Sequence, residues 1–245
     1  MINCLTWNMR GIADAASFRR LKRLVKVHKI HLLVILEPMV DNSKLLNFQL
    51  SLQFHGSCCN TAGKIWCFWM DSFQCSITLN HDQCLNLHCK SGELEEGFMF
   101  SAIYAKCSKV ERRSLWDSLI SLSSTSLPWI LGGDFNIVRR AHERLGGRDI
   151  DFSAAVEFND CINSCGLVEP NFVGSQFTWK RANQRLWKRL DRMLHNVAWG
   201  NFFTECKVQH LNREGSDHAP LLTICWEGRG SSGLFLVPIY GGKTS

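Results

Sequence analysis

Several features are scarce in this chain of 245 residues, and each scarcity closes off a class of protein. Proline occurs only five times, so no proline-rich linker divides the chain. No apolar run approaches the ~20 residues that span a bilayer, which argues against a membrane helix. The first residues, MINCLTWNMRG, lack the basic-then-apolar order of a secretory leader. There is no GxSxG elbow to carry a nucleophilic serine, and no internal repeat. Cysteine is plentiful at twelve, yet no CxxC pair occurs. Without a secretion signal, these residues are expected to be reduced thiols packing as small apolar groups. His81, Cys84, His88 and Cys89 match no common zinc spacing, and the alternation in CLNLHC reads instead as a strand with Cys84 and His88 on one face. A soluble, intracellular, monomeric protein is expected, in nucleus or cytoplasm.

What is present supports a sizeable core. Apolar residues make up 45% of the chain, and its length suits one α/β domain. The formal charge is +6, a mild excess compatible with a polyanionic partner. Its distribution is more telling. RRLKRLVKVHK (19–29) reads as the solvated face of a helix. KRANQRLWKRLDR (180–192) interleaves basic residues with aromatics, as phosphate neutralisation and base stacking require.

Along the chain, INCLTWN is a strand ending in the loop NMRG, and apolar residues at helical spacing follow over 17–28. HLLVILE is a strand covered on both faces, stopped at Glu37-Pro38. KIWCFWM, FQCSITL and GFMFSAIYA are β-rich. Ser108 and Glu111 form a capping-box pattern ahead of a helix with Leu115, Trp116, Leu119 and Ile120. PWILGGDFN is a strand that terminates in charge. Ser153 opens a helix that Gly166 ends, and QFTWK, KRLDRML and LLTICW are strand-like. Helices fall between groups of strands, which favours two packed sheets flanked by helices. Beyond Trp226, the glycine- and serine-rich residues 227–245 read as a disordered extension to a domain of 1–226.

Several strands end in a polar group: Asn8, Glu37, Tyr104, and Asp134 with Asn136. Such ends are where sites assemble on a rigid scaffold. If 133–136 stays extended, Asp134 and Asn136 point the same way, and Gly132 and Gly133 permit close backbone approach there. Glu37 and Asp217 suit a hard divalent cation. Asp191 suits the imidazole of His218, and Asp134 with Asn136 suit a water attacking phosphorus. This inventory fits metal-assisted phosphodiester hydrolysis. Serine chemistry fits poorly, because Ser216 lies two residues from His218.

WNMRG, LEP, IYA, GGDFN, RLDR and SDHAP, in this order, resemble the endonuclease/exonuclease/phosphatase superfamily, whose members are DNase I-like. FTWKR with RLDR and NMRG is most similar to endonuclease domains of plant LINE-type (non-LTR) retrotransposons. The resemblance spans 1–226. It implies a four-layered α/β sandwich and Mg²⁺- or Mn²⁺-dependent hydrolysis of phosphate esters, with DNA as partner. It also implies roles. Glu37, Asn8 and Asp217 fall at metal-site positions, with Glu37 the principal ligand. Tyr104 falls where the family's tyrosine contacts the scissile phosphate. Asp134 matches the water-orienting aspartate, Asn136 its support, Asp191 the partner of the histidine, and His218 the histidine itself, as general base or phosphate-stabilising cation. Thr178, Trp179, Lys180, Arg185, Lys188 and Arg189 are expected to contact nucleic acid.

Two positions depart from the pattern. Arg10 stands where apurinic-site endonucleases carry an aspartate, which removes a carboxylate and supplies a phosphate-binding group. Pro38 and Met39 stand where the family has threonine and lysine after the glutamate. A decayed copy that binds without cutting, and a same-fold phosphoesterase acting on RNA, phosphoinositide or sphingomyelin, are the alternative readings. The absence of a following reverse transcriptase block suggests an isolated or truncated copy.

Overall fold

INCLTWN and LLVIL are strands because every one of their side chains is buried, so apolar residues suit both faces of the ribbon. The structure, a computed structural model, describes residues 1–227 except 93, 148 and 183. The extension expected over 227–245 lies, past residue 227, outside the described residues. The first half runs β1 (Ile2–Asn8), α1 (Ala15–Val27), β2 (Leu32–Leu36), α2 (Leu45–Leu52), β3 (Gly56–Cys59), β4 (Ile65–Trp69), β5 (Gln74–Asn80), β6 (Cys84–Ser91) and β7 (Leu94–Tyr104). Then come α3 (Lys109–Leu122), β8 (Trp129–Asp134), β9 (Arg144–Leu145), α4 (Phe152–Ser164), β10 (Phe172–Gly174), β11 (Trp179–Lys180) and β12 (Trp187–Lys188). β13 (Asp191–His195), α5 (Val197–Phe202), β14 (Phe203–His210) and β15 (Leu221–Glu227) complete the described chain.

These elements form the expected four layers. One sheet has the order β10-β14-β15-β1-β2-β4-β3 and the other β13-β8-β7-β6-β5, while β11-β12-β9 make a small separate sheet. Three apolar clusters fill the gaps. Val34, Leu36, Phe98, Phe100 and Trp199 belong to the cluster between the sheets. Leu21, Leu24, Trp66 and Phe68 pack α1 and α2 on the larger sheet. Leu115, Trp116, Phe158 and Leu131 pack α3 and α4 on the smaller one.

Local details differ from the sequence reading in three places. Ser108 precedes α3, but its side chain makes no capping bond. Instead the buried Arg112 guanidinium donates to the Lys106 and Cys107 carbonyls at that end. α4 starts one residue before Ser153, with the Asp151 carboxylate accepting from Ala154 N–H at 3.0 Å. The extension expected through Asn136 stops at Asp134, and Asn136 adopts φ +50°. Asp134 and Asn136 therefore do not share a strand face. Asp134 Oδ1 accepts the Asn136 N–H at 2.9 Å, a local turn that short polar side chains favour.

Gly133 supports the close approach expected of it. Its φ is +147°, and a Cβ there would stand 2.0 Å from the Ile103 carbonyl oxygen of β7. Gly133→Ala should therefore push β8 off β7 and destabilise the fold by about 3 kcal/mol. The urea midpoint checks this, and an unchanged midpoint would show that the strand yields without cost.

Candidate active site

The candidate residues converge because the strands that end in them are neighbours. Asn8 pairs with Leu36 in parallel β1 and β2, placing Glu37 one residue beyond. Tyr104 pairs with Asp134 across parallel β7 and β8, and Asp191 faces Asp134 across antiparallel β13 and β8. His218 lies in the loop before β15. One edge of both sheets thus carries Asn8, Glu37 and His218 from the larger sheet opposite Tyr104, Asp134 and Asp191 from the smaller.

The buried Asn8 amide joins the two sides. Its Nδ2 donates to Glu37 Oε1 at 3.0 Å and to Asp134 Oδ2 at 3.0 Å. The Tyr104 hydroxyl hydrogen-bonds Glu37, and burial followed by the Glu37 charge pushes its pKa well up, so it stays a neutral donor. Asn136 does not reach into this contact, since its amide donates to the Ala105 carbonyl at 2.8 Å.

His218 makes the second crossing. Its Nδ1 lies 3.1 and 2.9 Å from the two Asp191 oxygens, while Nε2 faces Asp134 Oδ2 at 3.7 Å, beyond hydrogen-bond length. Burial disfavours the imidazolium, but Asp191 and then Asp134 outweigh it and raise His218 to about 9. The ring is therefore a cation at neutral pH. Burial pushes the Asp134 carboxyl up to about 6; the His218 charge opposes this and the facing Asp191 adds to it. The main chain fixes Asp191 through Thr178, whose Oγ1 accepts from both Leu190 and Asp191 N–H at 3.0 Å.

Arg10 sits on the solvent side, with its guanidinium 2.8 Å from Asp217 Oδ2 and 3.9 Å from Glu37 Oε2. Trp179 Nε1 donates to the same Asp217 oxygen at 2.9 Å. That leaves Asn8 Oδ1 and Asp217 Oδ1 buried without a hydrogen-bond partner. Unpaired buried oxygens beside a glutamate are a donor set that suits a hard cation. Asp134, Asp191 and His218 also lie with ligand atoms within 4.8 Å of one another. His218 is hydrogen-bonded to Asp191 and ion-paired with Asp134, so these three groups already interact with one another.

Backbone strain gathers at the same place. Among the described residues, six non-glycine residues have positive φ; Lys29 and Gln53 follow helix ends, while Arg10, Glu37, Met39 and Asn136 belong to the site and the loop after Glu37. Left-handed backbone at residues other than glycine costs of order 1–3 kcal/mol each and persists where the surroundings dictate it.

The residues expected at the nucleic-acid interface divide. Trp179, Lys180, Trp187 and Lys188 form a cross-strand lattice in β11 and β12, with Lys180 Nζ 4.6 Å from the Trp187 ring and Lys188 Nζ 5.4 Å from the Trp179 ring. Arg213 adds a third cation 4.6 Å from Trp187. Arg185 is exposed beside them. Thr178 and Arg189 are corrected: Thr178 is fully buried, and Arg189 is 8% exposed, in an ion cluster with Glu143 and Glu169. Burial pulls Arg189 down to about 10. Neither side chain is free for a polymer.

Some contributors were not legible. Arg20, in the run read as a solvated face, covers Trp7 and donates to the Asn212 and Glu214 carbonyls. Ser17 donates to the Gly215 carbonyl, and Trp7 Nε1 to that of His218. Ser216 donates to the Asn8 carbonyl at 2.7 Å and accepts from His218 N–H, so it clasps the loop.

The chain belongs to the Endonuclease/Exonuclease/phosphatase family, whose model matches residues 5–218. No curated protein sequence matches it. Among solved structures it is similar to the endonuclease domain of TRAS1, a telomere-specific non-LTR retrotransposon, at 16% identity and TM-score 0.68, covering 92% of this chain and 98% of that one. An AP endonuclease from Archaeoglobus fulgidus is similar at 16% identity and TM-score 0.69, covering 92% and 99%. A 3'-5' exonuclease from Neisseria meningitidis is similar at 15% identity and TM-score 0.69, covering 92% and 100%.

The charge on His218 gives a pH signature. Its folded value lies above the ordinary 6.5, so its contribution to stability is full below 6.5 and is lost as pH rises through about 9. Asp134 titrates below this window. The urea midpoint should fall between these pH values and become flatter in Asp191→Asn. An equally steep fall in that variant would place the titration elsewhere.

Proposed function

We propose that this protein is a divalent-metal-dependent endonuclease that nicks DNA, of the kind carried by LINE-type (non-LTR) retrotransposons. The observation that carries the reading is the Asn8 amide shared between Glu37 and Asp134, next to a His218 held as a cation by Asp191. Glu37, Asn8 through Oδ1 and Asp217 through Oδ1 are the residues that would hold Mg²⁺ or Mn²⁺. When bound, the ion would supply Lewis-acid polarisation of a phosphate oxygen.

The chain's own residues supply the rest. His218 presents positive charge from Nε2 to a phosphoryl group that gains negative charge in the transition state. Asp134, opposite that nitrogen, is an acceptor for the proton of an attacking water, and Asn136 fixes its second oxygen through the backbone. Tyr104, whose hydroxyl now bonds Glu37, would turn that donor to a phosphate oxygen when substrate enters. Arg10 neutralises part of the acidic edge and gives an approaching phosphate a cationic partner.

A polymer is favoured over a lipid headgroup by the lattice of Lys180, Trp187, Lys188 and Arg213. Lys180, Trp187 and Arg213 line a groove of about 740 Å³ together with Ser216 and Asp217. Cations on tryptophan faces suit phosphates and stacked bases together. The similarity to the TRAS1 domain agrees with a retrotransposon origin.

Supercoiled plasmid is the first substrate to test. Open circles should form with Mg²⁺ or Mn²⁺ and not with EDTA, and His218→Ala or Glu37→Ala should slow nicking by about 10²–10⁴-fold. Unimpaired nicking by both variants would overturn the site. A folded wild-type protein that leaves plasmid intact but hydrolyses RNA, phosphoinositide or sphingomyelin would overturn the substrate alone. Lys180→Ala and Lys188→Ala should each weaken DNA binding and reduce the slope of log affinity against log salt by about one. An unaltered slope would turn the lattice away from DNA.

A further inference from the structure

Six of the twelve cysteines are not scattered through the core. Cys58 faces Cys67 across β3 and β4, Cys75 faces Cys89 across β5 and β6, and Cys206 faces Cys225 across β14 and β15. Each pair is in direct antiparallel register. The sulfurs are 3.0 Å apart in the second pair and 2.9 Å in the third, and the first pair is also hydrogen-bonded. Directly opposed residues on antiparallel strands have Cα atoms about 4.5 or 5.5 Å apart. Both spacings fall within the about 4.4–6.8 Å that a disulfide bridges. Each pair also joins a half-buried thiol (Cys58, Cys75 or Cys206) to a buried one (Cys67, Cys89 or Cys225).

We propose that these three pairs are disulfide-forming sites, which close within the folded protein on exposure to a small-molecule disulfide such as oxidised glutathione. The half-buried thiol of each pair is the entry point. As a thiolate it attacks one sulfur of glutathione disulfide, breaking that S–S bond and releasing one glutathione thiolate, which takes up a proton. The buried partner loses its proton as its sulfur attacks the mixed disulfide, expelling the second glutathione. The two protein thiols give up two electrons and two protons in all, and the small disulfide gains them as two thiols.

The surroundings of the third pair favour this order of attack. There the two sulfurs share a hydrogen bond, which lowers Cys206 despite its burial and, with burial, raises Cys225. The more acidic thiol is the accessible one. A soft-metal site is a poorer reading: among the described residues, no three thiol sulfurs lie within 4.8 Å of one another. All six side chains belong to the layer between the sheets or pack against it, and the bonds would tie β3, β5 and β14 to their inner neighbours. Cys107 is exposed and has no facing cysteine, so it serves as an internal control.

The test treats the full chain with oxidised glutathione, blocks remaining thiols under native conditions, and maps the products by mass spectrometry. Each closed pair should lose two hydrogens and retain no glutathione, with peptides joined as Cys58–Cys67, Cys75–Cys89 and Cys206–Cys225, while Cys107 keeps its adduct. Cys225→Ala should trap one glutathione on Cys206. Cys75→Ser, a change at a half-buried position, should leave Cys89 unmodified, and circular dichroism identifies any variant that has not folded. Glutathione persisting on Cys58, Cys75 and Cys206 of the wild type, joins between other cysteines, or no thiol loss would each overturn the proposal.

Discussion

A single buried amide holds the two halves of the site in register. Asn8 ends a strand of the larger sheet, yet one of its two donor contacts is to Asp134 at the end of a strand of the smaller one. The layer between the sheets is mainly apolar, and apolar packing is non-directional; it fixes the spacing of two sheets more than their alignment. Directional bonds at the edge supply what packing lacks. The His218–Asp191 pair is a second crossing of the same seam, and the two together set which strand ends face each other.

This arrangement carries a cost. Asp134 and Asp191 are carboxylates directly opposite across a strand pair, both nearly out of solvent. Only a cation between them makes that tolerable, which is why His218 is raised while Asp134 is displaced upward. The orphaned oxygens of Asn8 and Asp217 and the left-handed backbone at Arg10, Glu37 and Asn136 add to the cost. Left-handed backbone at non-glycine residues concentrates at this one edge, with only Lys29 and Gln53, after helix ends, lying elsewhere among the described residues. A rigid four-layered scaffold is what allows such an edge to persist.

The positive charge divides in the same manner. Arg189 and Arg192 are consumed by Glu143 and Glu169 inside the protein, behind Asp191, and Arg20 is consumed by the loop that carries His218. Lys180, Lys188 and Arg213 lie against tryptophan faces, Lys180 and Arg213 lining the groove. The net excess of the chain thus says less than which of its cations lack a carboxylate.

Much of the fold was legible because burial on both faces leaves an unmistakable apolar run, as in Leu32–Leu36 and Trp129–Leu131. The strand Phe203–His210 was not, since only Phe203, Val208 and His210 of its eight residues are buried and its alternation is broken. Short α2 and α5 passed unread for want of a long period. At the site, residue types and order alone pointed to Glu37, Asp134, Asp191 and His218, because carboxylates and a histidine at the ends of apolar strands have few structural uses. Tertiary structure decided the rest: that Arg10 binds Asp217, that Asn136 turns away from Asp134, that Thr178 and Arg189 are interior, and that six cysteines meet in pairs. Those outcomes depend on strand register and on which neighbour reaches a charge first. Both are set by contacts between residues far apart in the chain, whereas periodicity and strand-end chemistry are local and therefore written in the sequence.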